Sequence, residues 1–310
     1  MEHKLKKINL FIPGAAKSGT SSLHELLKLH PEINMSKNKE PHFLASSAEN
    51  LKSNEHIETY LSNFNLSKKF KYHGESSTGY FYFKSFKDNF KKIGNPDAKF
   101  IIILRNPIDR TFSHYNYLKS LGSENLTLKE AVLKDHQKEP SPLDVLPELI
   151  IKNYYQYSLY GKWLTLFSEN INVENIKVIL FEDLKSKPLE TLNTCFTFLG
   201  LHQLETIPDI ASNKTVKIRF PKLYRNIRIF AFNESKFRNI IKYFLPVKWR
   251  RAHKKRITEM LLELMKTNKK LALITTEERE WLFDLYKHDV IKLKQLTGLQ
   301  FQEWQDFNKR

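Results

Sequence analysis

The stretch that most constrains this chain runs from Ile8 to Leu23, INLFIPGAAKSGTSSL. Its first five residues are apolar and predict a buried strand, which ends at Pro13-Gly14. A loop of small residues follows, and a helical pattern resumes from about Ser21. In such a strand–loop–helix unit, the backbone N–H groups of the loop and the positive end of the helix both point at an anion. The stretch therefore predicts a phosphate-binding loop.

The loop itself contains the residues that phosphate binding requires. Gly14 and Gly19 allow a ligand to approach the backbone closely, and Lys17 adds a positive charge. Hydroxyl side chains supply further donors: Ser18, Thr20, Ser21 and Ser22. The glycine spacing is that of a nucleoside-triphosphatase loop, but Lys17 precedes Gly19 instead of following it. The structural alternative is a Gly/Ser turn between a strand and a helix.

Length and composition indicate a globular protein with a sizeable core. The chain has 310 residues, of which 41% are hydrophobic, and we expect one large domain or two small ones. No apolar run approaches the roughly 18 residues of a membrane span. Because the first strand begins by residue 8, we expect no secretion signal and a cytoplasmic location. The single Cys195 is predicted to be a core residue, and it excludes an intrachain disulfide and a multi-cysteine metal site.

The positive charge of the chain is unevenly distributed. Its net charge is +17, and the segment from Lys214 to Arg256 holds fifteen basic residues and one acid, Glu234. Such a segment attracts a nucleotide, an acidic glycan, an anionic lipid surface or nucleic acid. From Ile240 to Arg251 apolar and basic residues mix, which is compatible with peripheral contact with an anionic membrane. A solvated helical face is the structural alternative.

Strands and helices alternate through the first two-thirds of the chain. After the first strand, further strands are predicted at residues 33–35, 70–76, 99–104 and 176–181. This alternation predicts an α/β fold, a single domain with a central, mostly parallel sheet between helices. Ligands of such sheets bind at the carboxyl ends of the strands. Glu75, Arg105 and Glu182 all follow strands there, so we expect several of them to line one cleft with the loop.

Helix signals complete the expected architecture. Asp109 is the predicted N-cap of a helix to about Lys119, and residues 120–147 are predicted to be a surface excursion. An aromatic stripe from Tyr154 to Phe167 predicts a long helix, and Pro188 begins another that ends at Gly200. Three further helices are predicted at residues 224–244, 249–265 and 276–296, so the C-terminal part is expected to be helical.

A second motif combines with the loop to indicate a family. The stretch FIIILRNPIDRTFSHY places Arg105 at a strand end and Ser113 eight residues later, where both can bind one phosphate. It resembles the 3′-phosphate motif of sulfotransferases, and PGAAKSGTSSL resembles their 5′-phosphosulfate loop. Taken alone, Arg105 could form a salt bridge and Ser113 could be a surface serine. Two motifs in the right order instead imply a sulfotransferase that uses 3′-phosphoadenosine 5′-phosphosulfate (PAPS).

The resemblance implies roles for individual residues. The 5′-phosphate would be held by the loop, at Lys17, Ser18, Gly19, Thr20 and Ser21, and the 3′-phosphate by Arg105 and Ser113. Lys217 and Arg219 lie where the family has a basic loop over the nucleotide, although its usual Arg-Lys-Gly triplet is missing here. The resemblance covers roughly residues 8–222 of one domain spanning 1–310, with residues 223–310 as a basic helical extension. It implies no metal.

The acceptor side of the reaction is indicated by Lys39-Glu40-Pro41-His42-Phe43. This segment resembles the heparan-sulfate-type, carbohydrate branch of the family, in a soluble, bacterial-like form, where the glutamate is the base. Glu40 is therefore the predicted base, with a raised pKa, and His42 is the rival base or a substrate contact. Glu75 resembles a second family acid near the substrate. The implied acceptor is a hydroxyl or amine of a glycan or glycolipid.

Two other classes of function stay open from the residues alone. A P-loop kinase would need a lysine directly after Gly19, where Thr20 stands. A nucleic-acid-binding protein would use the basic segment between Lys214 and Arg256 with its interleaved aromatic residues. That interpretation leaves both phosphate motifs unexplained, and aromatic residues at helical spacing more often form a core.

Overall fold

The sheet of this protein has five parallel strands. The structure, a computed structural model, describes residues 2–138, 151–169, 171–208, 217–218, 266–267 and 273–308. The strands of the sheet are β1 (Ile8–Ile12), β2 (Ile33–Met35), β3 (Tyr72–Ser76), β4 (Lys99–Leu104) and β5 (Ile176–Leu180), in the order β2-β3-β1-β4-β5. A separate antiparallel pair consists of β6 (Lys217–Ile218) and β7 (Lys266–Thr267). The predicted α/β architecture is confirmed.

Helices connect and cover these strands. In chain order they are α1 (Glu2–Leu5), α2 (Thr20–Leu27), α3 (Ala48–Lys52), α4 (Asn54–Leu61), α5 (Lys84–Ile93), α6 (Pro107–Ser120), α7 (Leu128–His136), α8 (Tyr160–Ser168), α9 (Phe181–Ser186), α10 (Pro188–Phe198) and α11 (Thr276–Thr297). Because all five strands of the sheet are parallel, their carboxyl ends lie at one edge. The loops after β1, β3 and β4 therefore share that edge.

Alternate residues of the central strands enter two cores, one on each face of the sheet. Phe11 and Phe100 stack at 5.4 Å between ring centroids in one core, which also contains Phe86 of α5. Leu10 and Ile101 belong to the other core, which also contains Leu23, Cys195 and Phe196. This period of two is that of a sheet covered on both faces. Cys195 is fully buried, as predicted, and burial raises the pKa of its thiol to about 12.

The start of α6 differs from the prediction. Asn106, not Asp109, is the N-cap, and its Oδ1 accepts a hydrogen bond of 3.0 Å from the N–H of Ile108. Pro107 follows as the first helical residue, where its missing N–H costs nothing. Asp109 instead forms an ion pair with Arg279 of α11. The helix thus begins three residues earlier, directly after the turn that carries Arg105.

Two other segments also differ from their predicted form. The expected surface excursion contains α7, which begins with a capping box between Thr127 and Glu130. The aromatic stripe lies in two elements, a 3₁₀ turn at Gln156–Ser158 and the shorter helix α8, but its side chains are buried. The prediction of one long helix thus missed the break between the two elements.

The C-terminal helix α11 packs against the helices that flank the site. Its Asp289 accepts hydrogen bonds of 2.8 and 2.9 Å from the N–H groups of Gly161 and Lys162 at the start of α8. Its Tyr286 hydroxyl lies 2.7 Å from Thr111 Oγ1 of α6. The predicted helix at 276–296 is thereby confirmed, whereas those at 224–244 and 249–265 lie outside the described residues. Within the described part of the chain, no helix is both long and apolar enough to span a membrane.

Candidate active site

The loop after β1 is fastened to the central strand β4. The N–H of Ala15 donates to the carbonyl of Ile103 at 2.8 Å, and the N–H of Ile103 donates to the carbonyl of Gly14 at 3.0 Å. Gly19 is the N-cap of α2 with φ of 91°, a conformation that favours glycine. A Cβ there would lie 2.5 Å from Phe181 Cδ2. The loop is therefore a fixed turn that delivers the chain to the N-terminus of α2, where backbone N–H groups lack helical partners.

Lys17 sits at this loop among other positive charges. Its backbone lies in the left-handed region with φ of 69°, and its Nζ is 4.2 Å from the ring centroid of Tyr117 on α6. Burial, followed by three neighbouring positive charges, lowers the pKa of Lys17 to about 8; these charges belong to Arg105, Arg110 and Lys39. No carboxylate among the described residues pairs with its ammonium. The arrangement favours the arrival of an anion.

Two of the hydroxyl-bearing residues of the loop are buried. Ser18 is fully buried, and its N–H closes the turn by donating to the carbonyl of Ala15 at 3.2 Å. Thr20 is buried too, at 5% exposure. The roles of Ser18 and Thr20 toward a phosphate stay predictions. Ser21, in the first turn of α2, is partly exposed.

The second motif lies beside the first. Arg105 Nη1 is 3.5 Å from the carbonyl oxygen of Lys17, and the guanidinium lies 4.9 Å from the ring centroid of Phe181. The following turn is held by Glu182, whose Oε1 accepts a hydrogen bond of 3.0 Å from the N–H of Asn106. Arg105 is partly exposed and so is Ser113, two turns into α6. The structure thus brings the lysine loop and the arginine turn into contact, as the motifs predict.

The sequence analysis did not identify Arg110 and Tyr117, two residues of α6 that lie near Lys17. Arg110 is fully buried, and its Nη2 donates to His114 Nδ1 at 2.6 Å. Burial and the charge of Arg110 hold the pKa of His114 well below its usual value, so this histidine is neutral. Tyr117 lies one turn after Ser113. The spacing of 110, 113–114 and 117 is that of one helix face, which is the signal that could have identified them.

Glu40 lies in a network with Thr78, His42 and Lys39. Its Oε2 accepts hydrogen bonds from the Thr78 N–H at 2.8 Å and lies 3.0 Å from His42 Nε2, while Oε1 pairs with Lys39. Burial acts to raise the pKa of Glu40, but the His42 hydrogen bond and the Lys39 charge outweigh it and lower the pKa to about 2. The prediction of a raised pKa is therefore wrong for this state, because the carboxylate is well paired.

His42 and Glu75 differ in their access to the surface. His42 is partly exposed, its φ is 50°, and its Nδ1 is buried without a partner among the described residues. Glu75, at the end of β3, is fully buried, and its carboxylate accepts hydrogen bonds from three hydroxyls: Tyr60, Ser77 and Tyr80. Glu75 is thus not exposed in this structure, and its place near the substrate stays a prediction.

Some predicted residues lie outside what the structure describes. The backbone of Lys217 belongs to β6, but its side chain and all of Arg219 are outside the described residues, as is most of the basic segment from Lys214 to Arg256. Within the described ranges, no group of three or more His, Cys, Asp or Glu side chains could hold a metal ion.

A cavity beside the arginine turn has the opposite charge from the loop. Its volume is about 450 Å³, and it lies between the start of α6 and the C-terminal residues 276–306. Arg279 is the one basic residue among those that line it, against four acids: Asp109, Glu280, Glu303 and Asp306. A mainly acidic lining of this kind disfavours the binding of an anion.

Comparison with known proteins identifies the family. The profile described as "Sulfotransferase domain" matches residues 7–223, more than two-thirds of the chain. The chain belongs to the sulfotransferase family. A sulfotransferase from Alicyclobacillus acidocaldarius has a similar fold, with a TM-score of 0.63 and 23% identity over 96% of this chain and 98% of that one. The predicted family is confirmed, and membership favours the sulfotransferase interpretation over the P-loop kinase.

Curated sulfotransferase relatives act on carbohydrates, as their names state. Carbohydrate sulfotransferase 15 of Mus musculus is 24% identical over 251 residues, covering 63% of this chain and 44% of that protein. Bifunctional heparan sulfate N-deacetylase/N-sulfotransferase 2 of Bos taurus is 26% identical over 199 residues, covering 61% of this chain and 22% of that protein. The chain spans less than half the length of the curated relatives it matches.

Proposed function

We propose that this chain transfers a sulfuryl group from PAPS to a hydroxyl or amine of a carbohydrate acceptor. The observation that carries the proposal is the contact between two motifs far apart in sequence, in which Arg105 Nη1 lies 3.5 Å from the carbonyl oxygen of Lys17. Lys39, beside Glu40, is also close enough to Lys17 to affect its pKa. In this proposal the anion site at Lys17 and the carboxylate of Glu40 serve the same reaction. The names of the carbohydrate-sulfating relatives support the acceptor class.

The nucleotide would be bound by fixed positive groups. Lys17 and the N–H groups from Gly19 to Ser21 are suited to the 5′-phosphosulfate, since they combine a charge with a helix N-terminus. Arg105 and Ser113 are suited to the 3′-phosphate, because a guanidinium offers two parallel donors. The roles of Lys217 and Arg219 over the nucleotide stay predictions.

The transfer step has a balanced course. The acceptor oxygen or nitrogen forms a bond to sulfur while the bond between sulfur and the bridging phosphate oxygen breaks. That oxygen keeps the electron pair and leaves as part of adenosine 3′,5′-bisphosphate, and Lys17 stabilises its charge. The acceptor proton passes to Glu40. Position and charge supply the catalysis, as in phosphoryl transfer.

A single substitution tests the base. Glu40→Gln is expected to lower sulfuryl transfer by about 10²-fold or more, since general-base catalysis contributes this much. Transfer is measured with labelled PAPS and a panel of glycan acceptors, and binding of adenosine 3′,5′-bisphosphate by calorimetry. Binding should stay within about twofold, because Glu40 faces the acceptor side. Glu58→Gln, which changes an exposed carboxylate of α4, is the matched control.

Near-normal transfer by Glu40→Gln would reject Glu40 as the base and direct the same test to His42. The pH dependence adds a second check. Because the pKa of Glu40 is about 2, the carboxylate is ionised throughout the neutral range. Transfer by the wild-type protein is therefore expected to show no loss attributable to Glu40 between about pH 5 and pH 7.

The basic segment between Lys214 and Arg256 is proposed to attract an acidic acceptor or an anionic lipid surface at long range. Such attraction weakens with ionic strength, so a rise in KM for an acidic glycan with added salt, and none for a neutral one, is the expected result.

A further inference from the structure

Glu75 is a buried carboxylate held by hydroxyls instead of by a cation. Its side chain has no exposed surface, and Oε1 accepts hydrogen bonds from Tyr60 at 2.8 Å and Tyr80 at 2.9 Å. Oε2 accepts a hydrogen bond of 2.6 Å from Ser77. No lysine or arginine among the described residues forms a salt bridge with it. Burying a carboxylate costs folding free energy unless its oxygens accept hydrogen bonds. The presence of such a network in the core therefore indicates a role for Glu75 other than packing.

Two of the three hydroxyls continue to the segment that carries Glu40. Ser77 Oγ accepts a hydrogen bond of 3.0 Å from the N–H of His42, and the Tyr80 hydroxyl accepts one of 3.0 Å from the N–H of Leu44. Each hydroxyl has one proton, which it donates to Glu75, and this leaves its lone pairs for the backbone N–H. The carboxylate, as a pure acceptor, therefore sets the direction of both relays.

The segment that these relays hold is in an unfavourable backbone conformation. Glu40 has φ of 59° and His42 has φ of 50°, although neither is glycine. Non-glycine residues persist in this region only when the surroundings fix them, and they concentrate at functional sites. Further anchors are the N–H of Glu40, which donates to the Ser76 carbonyl, and the N–H of Thr78, which donates to Glu40 Oε2. All of these anchors come from the last residue of β3 and the chain just after it.

We propose that Glu75 is a positioning residue for Glu40, acting through Ser77 and Tyr80 on the backbone of residues 42–44. This inference rests on the proposed function of Glu40 as the base. The third hydroxyl, on Tyr60, donates to Glu75, but the N–H groups of His42 and Leu44 donate to Ser77 and Tyr80 instead of to it. The Tyr60 ring also stacks on Phe43 at 4.2 Å between centroids, a contact that Tyr60→Phe keeps. Tyr60 and Tyr80 are thus two buried tyrosines that both donate to Glu75, and of their two hydroxyls only that of Tyr80 accepts the N–H of Leu44.

This difference gives a matched pair of variants. Tyr80→Phe and Tyr60→Phe each remove one hydroxyl from Glu75, but only Tyr80→Phe also releases the N–H of Leu44. We expect kcat to fall about tenfold or more in Tyr80→Phe and in Ser77→Ala, since small misplacements of a catalytic group are costly, and to stay within about twofold in Tyr60→Phe. Affinity for adenosine 3′,5′-bisphosphate should stay unchanged in all three.

Glu75→Gln is the central variant. Its amide offers one acceptor and one donor group where the carboxylate has two acceptors, so at least one hydroxyl must turn and its relay is lost. We expect a loss of about 10²-fold in kcat with unchanged bisphosphate affinity. A loss of kcat in Tyr60→Phe as large as in Tyr80→Phe, or a parallel loss of bisphosphate affinity, would assign the network to general stability and overturn the proposal.

Amide hydrogen exchange tests the same relays without any activity. Ser77→Ala should speed exchange at His42, and Tyr80→Phe should speed it at Leu44, by about tenfold each, whereas Tyr60→Phe should change neither. Unchanged exchange at both amides would refute the positioning role even if transfer falls. Suppose instead that exchange is faster in Ser77→Ala and Tyr80→Phe while Glu40→Gln transfers normally. These two results together would refute the proposed base but support the role of Glu75 in positioning the segment.

Discussion

Lys17 should couple the binding of an anion to the uptake of a proton. Its pKa is about 8 in the ligand-free protein, against 10.5 for an unperturbed lysine. A bound phosphate favours the charged form and raises this pKa, so binding at pH 8 should take up about half a proton. If the pKa in the complex returns to its ordinary value, affinity for adenosine 3′,5′-bisphosphate falls about tenfold between pH 7 and pH 9.

Calorimetry in two buffers of different ionisation enthalpy measures both the affinity and the proton uptake. Lys17→Met is the reference, because it keeps the length of the side chain and removes the charge. We expect weaker bisphosphate binding by this variant, no proton uptake at pH 8 and a flat affinity between pH 7 and pH 9. Equal proton uptake by both proteins, or a wild-type affinity that does not change over this range, would refute the reasoning.

The stability of the ligand-free protein should change in the opposite direction. Between about pH 8 and pH 10 the folded chain releases the Lys17 proton that the unfolded chain keeps. The unfolding free energy of the wild type, relative to Lys17→Met, therefore rises with pH, by at most about 1 kcal/mol from pH 8 to pH 9. Urea denaturation at each pH measures this difference.

Three further substitutions test neighbouring parts of the site. Arg105→Ala should weaken adenosine 3′,5′-bisphosphate by about ten- to a hundredfold and leave adenosine 5′-monophosphate nearly unaffected, as measured by calorimetry, because only the first has the 3′-phosphate. Gly19→Ala should lower the unfolding free energy more than Gly200→Ala, as measured with urea, since both have positive φ but only the first places Cβ 2.5 Å from Phe181. Tyr117→Leu should weaken bisphosphate binding about two- to fivefold and Tyr117→Phe should not, because a ring face stabilises the loop ammonium.

The sheet and the contact between the two phosphate motifs could be predicted because their signals are local. The apolar runs INLFI and KFIIIL became β1 and β4 with the predicted bounds. Once strands are parallel, residues that follow them meet at one edge, and this brought Arg105 to Lys17. The start of α6 was misjudged because Asp109 and Asn106 are both good caps. Pro107, which suits the first helical position, was the signal in favour of Asn106.

The environment of the acids could not be predicted, because it depends on residues distant in sequence. The buried carboxylate of Glu75 accepts a hydrogen bond from Tyr60 of α4, fifteen residues earlier in the chain. The pKa of Glu40 is set by His42, Lys39 and burial together, and the sequence alone does not show which prevails. Likewise, the sequence does not show that Ser18 is fully buried. Such outcomes depend on packing and not on a pattern along the chain.

Titration of the wild-type protein with adenosine 3′,5′-bisphosphate, with adenosine 5′-monophosphate and ATP as comparisons and no added magnesium, tests the central claim most directly. The bisphosphate carries the two phosphates that the Lys17 loop and Arg105 are proposed to bind. The account predicts binding at least about tenfold tighter than that of either comparison. Equal affinities, no binding, or a preference for ATP that appears only with magnesium would contradict it.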